Sequence, residues 1–96
     1  MFILHLTYVK PLAEIDRLIP PHREYLAKFY ASGNFLFSGR REPRTGGVII
    51  AKAGSRAEVE AIIREDPFLI EGVAEYEIVE FVPAMTAPDL AGYQES

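Results

Sequence analysis

Cysteine and tryptophan are absent from this chain, and histidine occurs only twice. Without cysteine there is no disulfide, no thiolate metal site and no cysteine nucleophile. Every apolar run is far shorter than the roughly 20 residues that cross a bilayer. Met1 is followed at once by strand-like sequence, so neither a transmembrane segment nor a signal peptide is expected. These absences predict a protein of the reducing cytoplasm with no membrane partner.

A basic surface is also lacking. Ten lysines and arginines stand against fourteen acidic residues, and the formal net charge is −4. The basic residues form no stripe interleaved with aromatic side chains, so nucleic acid is not an expected partner. The two histidines, His5 and His22, have no second ligand at metal-binding spacing. Neither a metal nor another cofactor is therefore predicted.

The 96 residues, 49% of them hydrophobic, suffice for one domain with one core. Segments rich in β-branched and aromatic residues predict strands at 2–9, 34–39, 48–52 and 76–82. Helical spacing predicts a first helix from Leu12 that is broken at Pro20-Pro21, with its main segment starting near Pro21. Ser55 and Glu58 form a capping box that opens a second helix, and Asp66-Pro67 ends it.

The element order β-α-β-β-α-β predicts a ferredoxin-like α+β domain, with an antiparallel sheet and two helices on one of its faces. This domain spans residues 1–83, and residues 84–96 form a C-terminal tail that is either disordered or draped on a partner. Simple alternation in the second strand places Phe35 and Phe37 on one face, with Leu36 and Ser38 on the other.

The sheet is predicted to be apolar on both faces. In the first strand Phe2 and Leu4 share one face, while Ile3 and Val9 lie on the other. A bare apolar face of several hundred Å² is unusual for a monomer, so a homodimer or a higher homo-oligomer is expected. The alternative is that the C-terminal tail covers this face.

His22 and Asp66 are the residues best suited to acid–base chemistry. Pro20-Pro21 places His22 in the first turn of the main helix, where the helix dipole favours a neutral imidazole that is available as a base. The alternative role of His22 is that of a helix-start residue packed beneath a loop. Asp66 either caps a turn or approaches the imidazole from the end of the second helix and orients it.

Several short segments together resemble one known family. They are Pro21-His22-Arg23-Glu24-Tyr25-Leu26, Ser32-Gly33, Phe37-Ser38-Gly39, Gly46-Gly47, Asp66-Pro67-Phe68, Gly72 and Tyr76-Glu77-Ile78 before Phe81. This combination resembles the YciI-like (YCII-related) family, and the match runs from residue 1 to about Pro83.

The resemblance implies a ferredoxin-like subunit that pairs as a dimeric α+β barrel, with a catalytic His and Asp pair that corresponds to His22 and Asp66. Some relatives act as a dehydrochlorinase on chlorinated aromatic compounds, and the wider superfamily includes muconolactone isomerase and monooxygenases that need no metal. Where the family often has Gly-Pro after the second strand, this chain has Gly39-Arg40-Arg41, which alters the shape and charge of that pocket edge.

Five further residues are candidates for substrate binding: Tyr8, Ser38, Gly39, Arg40 and Phe68. The arginines 40, 41 and 44 either attract an anionic substrate such as a carboxylate or form an ordinary solvated turn. Two functions therefore stay open at this point. One is a His/Asp acid–base enzyme of lyase, dehydrochlorinase or isomerase type, and the other is a non-catalytic dimeric module that binds a small molecule.

Overall fold

The computed structural model describes residues 1–95; Ser96, the end of the predicted tail, lies outside them. Its four strands and the two helical connections follow one another in the predicted order. The elements are β1 (Phe2–Tyr8), α1 (Leu12–Arg17), α2 (Ile19–Ala31), β2 (Phe35–Arg40), β3 (Gly46–Ala51), α3 (Arg56–Ile63), α4 (Pro67–Ile70), β4 (Ala74–Glu80) and a 3-10 helix (Pro88–Tyr93). The strands form one antiparallel sheet in the order β2-β3-β1-β4. The predicted ferredoxin-like α+β fold is confirmed. No helix within residues 1–95 is long and apolar enough to cross a membrane.

The helices cover one face of the sheet, where the core lies. Phe2, Leu4 and Leu6 alternate along β1 and are buried, because every second side chain of a strand points to the same face. The helices and the junction between α1 and α2 supply the opposing side chains, namely Ile15, Leu18, Tyr25, Phe29, Val59, Ile62 and Phe68. Two crossovers connect strands that run parallel: α1 and α2 lead from β1 to β2, and α3 and α4 lead from β3 to β4. Both crossovers lie on this face of the sheet.

The first crossover helix breaks earlier than predicted. The interruption is at Leu18, and α2 already begins at Ile19. Pro20 and Pro21 lie in the first turn of α2, where a missing N–H removes no intrahelical bond. The prolines therefore start this helix and do not interrupt it. His22 is its fourth residue, and the His22 N–H donates to the Leu18 carbonyl at 3.0 Å.

The predicted alternation in β2 was wrong, because the strand contains an irregularity between Phe35 and Phe37. Phe35 pairs with Ala51 and Phe37 with Ile50, which are adjacent residues of β3 and face opposite ways. Phe35 is consequently buried, whereas Phe37 is 59% exposed on the other face. The extra residue also brings Ser38 to the helix-covered face, since bulges redirect the side chains that follow them.

The second crossover is capped at both of its helices. Ser55 Oγ accepts from the Glu58 N–H at 3.2 Å, as predicted for an N-cap, and Glu58 Oε2 accepts from the Gly54 N–H at 2.8 Å. The helix ends at Ile63, and Asp66 then caps a further short helix, α4, which the sequence did not predict. Asp66 is thereby fixed between two helices.

The face of the sheet opposite the helices is apolar at its centre. Ile3, Val48 and Ile50 lie there on the neighbouring strands β1 and β3. The C-terminal tail reaches one end of this face: Phe37 and Ile50 line an apolar groove together with Leu90 and Tyr93 of the tail. The tail is tied to the first residue by an ion pair of 3.1 Å between the Met1 amino group and Glu95.

We expect Gly46→Ala to destabilise the sheet, because a Cβ at this position would lie 1.8 Å from the Leu6 carbonyl oxygen of β1. The backbone must shift to relieve this clash, and overpacking of this kind costs about 1–3 kcal/mol. The free energy of unfolding in guanidinium measures the effect. Gly39→Ala is the matched control, because its added Cβ meets open space. Equal stabilities of the two variants would contradict this account.

Candidate functional site

A cavity of about 650 Å³ opens between α2 and the helix-covered face of the sheet. Its walls include six of the seven residues that the sequence singled out: Tyr8, His22, Ser38, Gly39, Arg40 and Phe68. The seventh, Asp66, lies behind His22 and contacts it directly. Residues separated by up to 60 positions in sequence thus meet at one place, because both crossovers pack on the same face.

The centre of the site is the contact between the two crossovers. His22 Nδ1 lies 2.7 Å from Asp66 Oδ1. A carboxylate only accepts hydrogen bonds, so Nδ1 carries the proton and donates it. The Asp66 side chain is fully buried, and that of His22 is 14% exposed. A buried carboxylate at this distance fixes the tautomer and the orientation of the imidazole.

Asp66 receives two further hydrogen bonds. The Phe68 N–H donates to Oδ1 at 2.9 Å, and the Tyr76 hydroxyl donates to Oδ2 at 2.6 Å. Asp66 is therefore both the cap of α4 and the partner of His22, so the two roles considered from the sequence coexist in one side chain. Three donors fully satisfy a carboxylate that has no access to water.

The imidazole is also held through its ring face. Phe68 stacks on His22 with ring centroids 3.9 Å apart and an interplanar angle of 6°, and Tyr8 meets the edge of Phe68 at 6.1 Å. Within residues 1–95, no hydrogen bond involves the second ring nitrogen, Nε2. Since His22 lines the cavity, Nε2 is the atom left to interact with a bound molecule.

Two tyrosines extend the network, and the sequence reasoning did not assign a role to either. The Tyr25 hydroxyl lies 3.4 Å from that of Tyr76, which in turn binds Asp66. Burial, and secondarily the negative charge of Asp66, raises the pKa of Tyr76 well above 10. Burial likewise raises the pKa of Tyr25. Tyr76 belongs to a segment that carries the family resemblance, which is the one signal in the sequence for a role of this residue. Its hydrogen bond to Asp66 is visible only in the structure.

The buried tyrosines predict a loss of stability at high pH. In the unfolded chain tyrosine ionises near pH 10, whereas both phenols stay protonated in the folded protein. Above pH 10 the unfolded state therefore binds fewer protons, and the free energy of unfolding should fall by about 1.4 kcal/mol per pH unit for each phenol. Below pH 10 this contribution is constant. Guanidinium unfolding between pH 8 and 11.5 measures the slope.

The matched comparison is the double variant Tyr25→Phe/Tyr76→Phe. It should lose the part of the alkaline slope that comes from these phenols. Identical slopes in the wild-type and double-variant proteins would contradict the assignment.

The polar rim of the cavity is partly engaged already. Ser38 Oγ lies 2.5 Å from the Tyr30 hydroxyl, Arg40 is ion-paired with Glu42, and Arg44 with Asp16. Arg41, which the sequence grouped with the other hairpin arginines, instead donates to the Leu6 carbonyl at 2.7 Å and does not line the cavity.

Among the described residues, side chains that could bind a metal ion are not grouped together. Residues 1–95 contain no group of three or more histidine, aspartate or glutamate side chains that could hold a metal ion. His22 and Asp66 are instead bound to each other and to hydroxyl and amide donors. An imidazole whose Nδ1 donates to a carboxylate can accept a hydrogen bond or a proton at Nε2.

The fold and the site are those of a small ferredoxin-like α+β protein. Its cavity is lined by a histidine that a buried aspartate holds, and its size suits a small molecule. The chain belongs to the YCII-related domain family, whose family model matches residues 1–82.

Two named proteins are similar to this chain in sequence, and a solved structure is similar to it in fold. The chain is 33% identical over 75 residues to fusaric acid biosynthesis protein 2 of Gibberella fujikuroi and to that of Gibberella moniliformis, covering 68% of this chain and 72% of each relative. A similar fold occurs in 5-chloro-2-hydroxyhydroquinone dehydrochlorinase from Burkholderia phenoliruptrix AC1100, in complex with 2,5-dihydroxybenzoquinone. The TM-score is 0.67 and the identity 22%, over 84% of this chain and 93% of the other.

Proposed function

We propose that this protein is an acid–base enzyme that moves a proton on a small organic molecule held in the cavity. The observation that carries the proposal is the 2.7 Å contact between His22 Nδ1 and the fully buried Asp66 carboxylate. In this tautomer Nε2 is unprotonated, and His22 lines the cavity, which suits a general base. Asp66 stabilises the imidazolium that forms when Nε2 takes the proton.

The reaction class follows from what one imidazole can do. Nε2 removes a proton from a carbon or hydroxyl of the substrate, and the electron pair moves into the conjugated system. In an isomerisation, Nε2 returns the proton to another carbon. In a dehydrochlorination, chloride leaves with its bonding electrons and the proton passes from Nε2 to solvent, so that HCl is lost overall. Proton transfer alone contributes about 10²–10⁴-fold, which suits substrates that are already acidic at carbon.

The wall of the cavity supports a flat, partly apolar substrate. Phe68 and Tyr8 present aromatic surface beside the imidazole, and Leu26 and Ile49 add aliphatic surface. The similar structure is that of a dehydrochlorinase of a chlorinated hydroquinone in complex with a quinone. We therefore assign to this chain a lyase, dehydrochlorinase or isomerase type of reaction on a small conjugated ring compound.

Hydrogen exchange tests the proposal directly. The ring C–H carbons of 2,5-dihydroxybenzoquinone are enol carbons, which exchange hydrogen in D₂O by first accepting a deuteron at carbon and then losing the original proton. An imidazole whose Nε2 donates the deuteron and then removes the proton catalyses this exchange. We expect the protein to accelerate this exchange, measured by NMR, and to release chloride from 5-chloro-2-hydroxyhydroquinone if dehydrochlorination is its reaction. A protein that binds the quinone but accelerates neither process is a binding module, and the enzyme proposal is then wrong.

The subunit is proposed to act as a homodimer that pairs through the sheet face opposite the helices. Ile3, Val48 and Ile50 form the apolar centre of that face, and Phe37 is largely exposed beside them. The tail reaches this face from the end near Met1 and shares a groove with Phe37 and Ile50, while Ile3 and Val48 lie outside that groove. A second copy would cover the remaining apolar surface with an equivalent one, as a two-fold interface does.

Ile50→Arg should convert the dimer to a monomer, because it places a charge at the centre of the proposed interface. Molar mass from light scattering after size exclusion measures the change, with circular dichroism to verify folding. Ile70→Arg on α4 is the matched control, since Ile70 is 65% exposed on the helical side. A wild-type protein that is monomeric at micromolar concentration would contradict the homodimer.

A further inference from the structure

The charged residues around the cavity differ in sign from the chain as a whole. The chain has a formal net charge of −4. The charged side chains that line the cavity are three arginines and one aspartate: Arg23, Arg40, Arg44 and Asp16. The cavity measures about 650 Å³, and low-dielectric walls of this kind strengthen the field of any charge on its lining that has no counter-charge.

Most of this positive charge is already compensated. Arg44 is ion-paired with Asp16, and Arg40 with Glu42. The Arg23 side chain, by contrast, makes no hydrogen bond or ion pair with any residue in the described range 1–95. Arg23 is therefore the guanidinium at the cavity whose five donors remain available for a bound molecule.

The unpaired guanidinium of Arg23 and Nε2 of His22 belong to the same cavity. Arg23 directly follows His22 in α2, and both residues line the same cavity. A molecule that contacts His22 Nε2 with a carbon therefore has an arginine within the same cavity for its oxygen atoms. Guanidinium groups bind carboxylate-like oxygen pairs through two parallel hydrogen bonds, which a neutral ether or amide does not match.

We propose that the cavity selects organic anions and that Arg23 is the residue that confers this selectivity. The substrate class is a small conjugated acid, ionised at neutral pH, whose carboxylate or enolate oxygens bind Arg23 while a ring or chain carbon meets His22 Nε2. This rests on the proposed function, since it names the substrate of the same site. The paired arginines 40 and 44 shape the rim, and Arg23 supplies the uncompensated charge.

The test compares an anion with a neutral molecule of similar shape. 2,5-Dihydroxybenzoquinone is ionised at pH 7, whereas 2,5-dimethoxybenzoquinone is neutral. Isothermal titration calorimetry should give the wild-type protein at least about 10-fold tighter binding of the anion. Arg23→Gln should weaken binding of the anion by about 10–100-fold, the range of hydrogen bonds to a charged group, and change binding of the ether by less than about 2-fold.

The matched control is Arg56→Gln, which removes the same charge at the start of α3, where Arg56 pairs with Glu60 away from the cavity. It should leave both affinities unchanged. Equal affinity of the wild-type protein for the two quinones, failure to bind the anion, or an unchanged preference in Arg23→Gln would each overturn the inference.

The two proposals fail in different ways. Anion preference without hydrogen exchange overturns the proposed enzyme and leaves the Arg23 site standing. Exchange without anion preference overturns the Arg23 site alone. The His22→Gln protein should keep the preference and lose the exchange, because it retains the guanidinium.

Discussion

Replacing His22 by glutamine should reduce the rate of quinone hydrogen exchange by about 10²–10⁴-fold, the contribution of one positioned general base. Glutamine keeps a polar side chain at the start of α2 but has no basic nitrogen. The loss should fall on the rate constant and spare the affinity for the quinone, since the cavity walls and Arg23 are unchanged. NMR exchange rates and calorimetric affinities on the same samples separate these two quantities.

The chain itself offers the control for this experiment. Its other histidine, His5, lies on the opposite face of β1, where it pairs with Val48 and Glu77. His5→Gln removes the same type of side chain at a distance from the cavity, so exchange should stay within about 2-fold of wild type. An unaltered rate in a folded His22→Gln protein would refute the role of His22 as a base.

Asp66→Ala should destabilise the protein by about 3 kcal/mol or more, because each buried donor that loses its acceptor costs about 1–3 kcal/mol. The substitution removes one acceptor from three donors: the His22 imidazole, the Phe68 N–H and the Tyr76 hydroxyl. No water reaches these groups to replace the carboxylate, because Asp66 is fully buried. Guanidinium unfolding at pH 7 measures the change.

Asp16→Ala is the matched comparison, because Asp16 is a largely exposed aspartate paired with Arg44. Surface pairs of this kind contribute about 0–1 kcal/mol, so its effect should be several-fold smaller. If Asp66→Ala does not fold, Asp66→Asn retains an acceptor for the α4 cap, and the ¹⁵N shifts of His22 then report whether the imidazole tautomer is still fixed. Similar stabilities of Asp66→Ala and Asp16→Ala would contradict the central role of the buried carboxylate.

The sequence contained enough information for the element types and their order. Alternation in Phe2 to Tyr8 predicts a strand with a buried face, and the Ser55–Glu58 box predicts the start of α3, because both signals depend on neighbours within a few residues. The errors arose where local signals compete. The prolines at 20 and 21 suit the first turn of a helix as well as a break, and the irregularity after Phe35 depends on pairing with β3.

The site could be predicted from the sequence only in part. The residue types of His22 and Asp66, their positions at helix ends and the family resemblance predict an acid–base pair. Their 2.7 Å contact, the Tyr76 hydroxyl on Asp66 and the stacking of Phe68 on His22 join residues that lie 10 to 46 positions apart. Such contacts depend on how the two crossovers pack, which no spacing along the chain expresses.

Composition, periodicity and capping signals by themselves determined an α+β fold with helices on one side of an antiparallel sheet, because hydrogen bonding and burial within each element act locally. Tertiary structure decided the rest. It turned Ser38 toward the cavity through the irregularity in β2, made Asp66 a helix cap and the partner of His22, and left Arg23 without a counter-charge. These properties arise only when distant segments exclude water from one another, so they belong to the packed chain and not to any segment of it.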